Sequence, residues 1–272
     1  MANILRIFKG TGGERVFRVA TISSLALLAI FFIGIIVSML AYTHWDTFVA
    51  ALFSKEILFA IRLSLTTATV AAIIAILIAV PVAYAISRAR FPGKDIVDSL
   101  LDLPIVISPI ALGAALLIFF NTPLGAAINN HAVKFVFAVP GIILAQVTVI
   151  CALAIRLLKS TFDSIDPRYE QVARTLGASK PEAFFRVTLP LSRDGLIASG
   201  ILTWARAVGE FGATVTLAGA TAMKTETLPT AIFLSLASAD VEKAIAVIFV
   251  LIVIAVVALL VIRKIIGRRY QI

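Results

Sequence analysis

Four stretches of this sequence run for at least 19 residues without a charge: Val19–Tyr42, Leu63–Ser87, Phe135–Ile155 and Ala244–Ile262. A helix needs about 20 apolar residues to cross the hydrocarbon of a bilayer. Inside it, backbone N–H and C=O groups must pair within the segment. Four such runs therefore confine the chain to helices at those places. A fifth stretch, Leu103–Val133, is uncharged for 31 residues, enough for one span and a polar tail from near Asn121. A sixth, Gly195 to Ala218, is apolar apart from Arg206 and Glu210. The expectation is an all-α integral membrane protein with six transmembrane helices. They fall at about 19–42, 63–87, 103–122, 135–157, 195–218 and 244–263. One membrane domain, 19–272, then follows a basic arm, 1–18, in which Ile4, Leu5, Ile7, Phe8, Val16 and Phe17 could lie on the membrane surface.

The charge pattern orients those helices. Of the 24 Lys and Arg, 18 lie at the two ends, between spans two and three, or between spans four and five. Five lie on the other side, and Arg206 is inside a span. Positive residues stay in the cytosol, so both termini and the long loop 158–194 are expected there. The net charge of +9 thus reports topology and calls for no nucleic-acid partner. The basic start followed by an apolar run looks like a secretory signal, yet the run is too long and lacks a small-residue cleavage site. It reads as a retained first helix.

Little in the chain suggests catalysis. The lone Cys151 can form no internal disulfide and reads as a packed apolar residue. His44 and His131 have no second His or acidic cluster nearby, so no metal site is expected. No Gly-x4-Gly-Lys-Ser/Thr phosphate loop occurs. Asp95, Asp98 and Asp102 share a helical face; metal or proton chemistry is one reading, and a solvated face pairing with Arg88, Arg90 or Lys94 is the plainer one.

The spans carry a few polar marks. Ser64, Thr66, Thr67 and Thr69 lie at the outer end of span two, and Pro81 invites a kink. Pro104 and Pro109 make the inner end of span three irregular, which suits the wall of a pathway. Gln146 and Thr148 in span four should face protein or a cavity. Arg206 and Glu210 sit near the middle of span five, four apart on one face. Each alone costs at least roughly 2.5–3.5 kcal/mol at that depth. Two readings stay open: a structural ion pair, or Arg206 offering positive potential to a passing anion while Glu210 holds it. Thr203, Thr214 and Gln146 join them as candidate pathway residues. The 13 uncharged residues ending at Ala239 are too few to span and read as interfacial or re-entrant.

The long cytosolic loop is the most structured polar segment. Asp166-Pro167 starts a helix, Glu170 falls in its first turn, and Gly177 ends it. Ser179, Pro181 and Glu182 start a second helix. Ala173 and Gly177 share one face, leaving a smooth strip on which another protein can approach.

The pattern Glu170-x2-Ala173-x3-Gly177-x11-Leu189-Pro190 resembles the "EAA" loop of ATP-binding-cassette importer permeases, with Val172 where a second Ala is usual. Arg206-Ala207-Val208-Gly209-Glu210-Phe211-Gly212-Ala213, then Gly219 and Lys224-Thr225-Glu226-Thr227-Leu228-Pro229, resembles the oxyanion branch, most of all its molybdate/tungstate members. The likeness covers roughly residues 60–270. It implies the molybdate-type permease fold and a multi-pass place in the cell membrane. It implies a homodimer, two separate ATPase subunits that bind ATP and Mg, and an extracytoplasmic oxyanion-binding protein. The permease itself would hold no cofactor. Arg168, Glu170, Ala173, Arg174, Gly177, Ala178, Leu189 and Pro190 would dock the ATPase. Sulfate or thiosulfate is the neighbouring substrate choice, and an ATP-independent secondary transporter is the alternative from another class.

Overall fold

The computed structural model describes residues 12–89 and 91–267, and every regular element among them is a helix. Most of the basic arm (1–11), Arg90 and the tail residues Arg268 and Arg269 lie outside the described residues. What is described forms two compact units that divide after Phe48. The first contains α1 (Gly12–Tyr42), into which residues 12–18 of the expected arm are absorbed, and the start of α2 (Trp45–Leu52). Apolar side chains of α1 such as Phe17 and Leu27 are over 70% exposed. By itself α1 packs no core, and its surface is that of a helix made for lipid.

The second unit runs through α3 (Lys55–Arg88), α4 (Lys94–Val106), α5 (Pro109–Phe120), α6 (Pro123–His131) and α7 (Val139–Asp163). Then come α8 (Arg168–Thr175), α9 (Lys180–Ala183), a π turn (Phe184–Thr188) and α10 (Leu189–Leu191). It closes with α11 (Arg193–Val208), α12 (Gly212–Ala218), α13 (Leu228–Ala237) and α14 (Val241–Gly267). α7 is the central post, packed by α3, α4, α5, α11 and α12. Its main seam is with α3, whose Ala68, Ala71, Ala75, Ala79 and Ala83 are fully buried. They recur at three- and four-residue steps and pack in clusters with Ile150, Ala154, Ile155, Leu158 and Phe162 of α7. Lipid tails give helices no hydrophobic reason to associate, so close approach through small side chains must supply the attraction.

α1, α3, α7 and α14 are each long and apolar enough to cross a membrane. The expected third span is instead two helices, α4 and α5, bent by 106°. Pro109 forces the preceding Ser108 into an extended conformation, and Ser108 Oγ caps the new helix at Ala111 N, 3.3 Å away. Counted as one bent span, this pair makes a fifth crossing. Pro81, by contrast, lies inside an unbroken α3. The expected fifth span, 195–218, is also split, with α11 ending at Val208 and α12 starting at Gly212. The short apolar stretch near 227–239 forms α13, packed against α3 and α14, with Leu228 N donating to Ser64 Oγ at 2.7 Å. Thr66, Thr67 and Thr69 bond back to their own helix.

The split helices meet through glycine. A Cβ on Gly113 of α5 would stand 2.8 Å from the Ala213 Cα and carbonyl oxygen of α12, so any side chain must push the backbones apart. Gly113→Leu should lower stability by about 1–3 kcal/mol, read as an earlier thermal midpoint of the purified protein. Gly200→Ala, with no atom within 4 Å of the added carbon, should leave that midpoint unchanged or slightly raised.

Candidate functional site

The loop between α7 and α11 folds as its residues dictate. Asp166 Oδ1 accepts the Arg168 N–H at 2.9 Å, and α8 follows for eight residues. Gly177, at φ 97°, ends it: Gly177 N donates to Arg174 O and Ala178 N to Ala173 O, each at 3.1 Å. This pair of bonds closes a helix through a left-handed residue, which glycine adopts without strain. Ser179 and Glu182 then exchange hydrogen bonds to each other's backbone N–H and start α9. Further on, Pro190 has no N–H for the Arg186 carbonyl, and the turn before it widens, with Leu189 N reaching back to Phe184 O.

Glu170 is the joint of this assembly. Its Oε1 accepts from Arg88 Nε at 3.1 Å and Thr188 Oγ1 at 2.7 Å, and its Oε2 from Tyr84 Oη at 2.7 Å. Arg88 is fixed in turn by the Phe162 and Ile165 carbonyls, at 2.9 and 2.8 Å. Tyr84 lies edge-on to Phe162 and Phe184, sealing the apolar side. One carboxylate thus ties α8 to the C-terminal end of α3, to the end of α7 and to the π turn. Burial is the largest influence on Glu170 and disfavours its charge. The hydrogen bonds from Thr188, Tyr84 and Arg88 outweigh it and hold the carboxyl below the usual range.

The expected docking residues divide between this joint and the surface. Glu170, Ala173, Ala178 and Leu189 are partly buried, while Arg168, Arg174, Gly177 and Pro190 are exposed. The strip facing outward is apolar: Tyr169, Val172 and Leu176 follow at steps of three and four and are 59%, 58% and 83% exposed. An exposed apolar row on a polar loop suits contact with another protein or with the membrane surface. Sequence reading named Ala173 and Gly177 for that role and passed over these three. It also passed over Tyr84, Arg88 and Thr188, although Arg88 visibly closes an uncharged run and Thr188 immediately precedes Leu189-Pro190.

The acidic face of α4 has a different partner from those expected. Asp98 and Asp102 both pair with Arg156 of α7, whose Nη1 is 2.7 Å from Asp98 Oδ1. Arg88 is committed to Glu170, and Lys94 donates to the Ala89 carbonyl. The helix-to-helix approach of α4 and α7, invisible in sequence, decides this. Among the described residues no group of three or more His, Cys, Asp or Glu is placed to hold a metal ion.

Arg206 and Glu210 meet at the break between α11 and α12. Arg206 Nη1 is 2.7 Å from Glu210 Oε2. Glu210 is buried, and its Oε1 accepts the Ala213 N–H at 3.0 Å, capping α12. The Arg206 side chain is 39% exposed. Gln146 bridges from α7 to the Ala207 carbonyl at 3.1 Å. Its Oε1 and the hydroxyls of Thr203 and Thr214 are buried without a protein partner. Glu210 is therefore held by both Arg206 and the start of α12, the geometry of a structural ion pair, with the Arg206 guanidinium left partly exposed.

The Glu170 joint makes a pH prediction. A carboxyl whose folded pKa lies below its unfolded value of about 4.3 adds stability above that value, and loses it as pH falls through the folded pKa. Glu170→Gln should lower the thermal midpoint at pH 7. The gap from wild type should close below about pH 4; a gap that stayed constant down to acid pH would remove the charge from the joint.

Comparison with known proteins places this geometry. Residues 71–271 match the family described as binding-protein-dependent transport system inner membrane component. The chain is 36% identical over 208 residues to a probable molybdenum ABC transporter permease protein of Haloferax volcanii, covering 76% of this chain and 75% of that one. It is 32% identical over 226 residues to the sulfate transport system permease protein CysW of Synechocystis, covering 82% of each. The crystal structure of a bacterial alginate ABC transporter, in complex with an alginate pentasaccharide-bound periplasmic protein, superposes with a TM-score of 0.74. It is 18% identical and covers 96% of this chain and 99% of that one, a likeness of fold. With its several apolar helices, the chain belongs to the binding-protein-dependent transport family as a multi-pass inner membrane component.

Proposed function

We propose that this chain is the permease of an ATP-driven importer for a tetrahedral oxyanion, molybdate or tungstate before sulfate. The family supplies the coarser statement, a transport subunit rather than an enzyme. Relatives named for molybdenum and for molybdate/tungstate, at 34–36% identity, support the substrate choice, and relatives named for sulfate keep the second in view. The single observation that carries the mechanism is the Glu170 joint, which anchors a helix with an apolar outer row to the inner end of a membrane helix.

In this reading six spans leave both termini and residues 158–194 in the cytosol. Two copies form the pathway, and each receives one ATPase subunit on Tyr169, Val172 and Leu176. The ATPase subunits bind ATP and Mg; the permease needs no cofactor. When ATP draws the two ATPase subunits together, α8 moves with them. Arg88 and Tyr84, held by Glu170, pass the movement to α3, and the α3–α7 seam passes it into the membrane. A binding protein outside delivers the dianion. Arg206, held by its ion pair with Glu210 and flanked by Gln146, Thr203 and Thr214, then offers it positive potential from its exposed side.

Three measurements test this. Leu176→Glu should abolish co-purification of the ATPase subunit, while Gly177→Leu should keep assembly and lose the dependence of ATP hydrolysis on transport. In proteoliposomes with the binding protein, Arg206→Ala should lower uptake of labelled molybdate by roughly tenfold or more, and unimpaired uptake would remove Arg206 from the pathway. Competition among molybdate, tungstate and sulfate in the same assay ranks the substrates. Uptake by the permease with no ATPase subunit present would overturn the whole reading.

A further inference from the structure

A cavity of about 450 Å3 opens beside the Glu170 joint, between the inner end of α3 and the helices α8 and α9. Arg88, Arg174 and Lys180 line it together with Gln171 and the single carboxylate Glu170. Glu170 is already engaged by Tyr84, Thr188 and Arg88. Among the described residues no carboxylate pairs with Arg174 or Lys180. Three cations against one anion leave two positive charges facing a partly enclosed space, with no carboxylate partner for Arg174 or Lys180 among the described residues. From this geometry we infer a cytosolic binding site for a compact tetrahedral dianion or phosphate group, held by Arg174 and Lys180 in the field of Arg88.

Charge-assisted hydrogen bonds from Arg and Lys favour such oxygens. The site lies where residues 158–194 meet the inner membrane surface, and to that extent it rests on the topology proposed above. Basic pockets at that depth take anionic lipid headgroups, and a free oxyanion presents the same chemistry. A bound anion would bridge α3 to α8 and α9 across the joint that Glu170 spans. It would stiffen the lever, so its occupancy sets how freely α8 moves against the membrane helices.

The test measures binding and needs neither uptake nor hydrolysis, so its failure leaves the transport reading intact. The permease with its ATPase subunit, free of nucleotide and binding protein, is placed in phosphatidylcholine nanodiscs and titrated with labelled molybdate and sulfate. Saturable binding should weaken roughly tenfold in Lys180→Gln and in Arg174→Gln. Arg186→Gln, which removes a charge outside the cavity, should bind as wild type does. If a lipid is the resident group, phosphatidylglycerol in the discs should block the free anion and be retained by wild type but not by the two cavity variants. Binding that is unaltered in both cavity variants overturns the proposal, as does retention of neither a free anion nor phosphatidylglycerol. Binding by the permease alone that vanishes when the ATPase subunit is added would assign the cavity to that interface and also overturn it.

Discussion

Everything in the second unit hangs on the close approach of α3 and α7. Five buried alanines of α3 let the two helices pack at short range over most of their length. In a bilayer that closeness is the source of the attraction, because dispersion and helix-to-helix fit replace the hydrophobic effect. The seam continues past the alanines through Ile86, Leu158 and Phe162. It thereby brings the Arg88 guanidinium to the carbonyls of Phe162 at the end of α7 and of Ile165 just beyond it, which hold it beside Glu170. The Glu170 joint is the polar end of an apolar contact.

Charge is handled in two ways in this chain, and both follow from the cost of leaving water. At the membrane edge, Glu170 and Arg88 are partly buried and each is saturated by several hydrogen bonds, the condition under which a buried ion pair is tolerated. Deeper, Glu210 pairs with Arg206 and caps a helix that starts because the previous one has stopped. The break and the carboxylate suit each other, since the interrupted backbone supplies the N–H that stabilises the charge. The same logic explains the bend before Pro109, where Ser108 caps a fresh helix. At the second break Glu210 is buried, whereas the backbone just before Pro109 is exposed and is satisfied locally by the Ser108 cap.

Much of the loop between α7 and α11 was legible because it depends on neighbours in sequence. Asp166-Pro167, Gly177 and the Ser179–Glu182 pair act within one helical turn, and each does locally what its chemistry predicts. Partner choice over long range was not legible. Nothing in sequence tells Asp98 and Asp102 to pair with Arg156 rather than with the nearer Arg88 or Lys94. Nor does it tell Glu170 to turn toward Tyr84, 86 residues away, and leave Tyr169, Val172 and Leu176 as the outer row.

The sequence alone determined that this chain lives in a membrane as helices, and where the short helix α8 begins and ends. These follow from the run of uncharged residues and from local backbone chemistry, which need no knowledge of the fold. Only the tertiary structure decided that two of the apolar stretches are broken, which carboxylate joins which cation, and which face of α8 is left exposed. Those outcomes depend on how closely helices far apart in the chain approach one another, and that distance is set by packing.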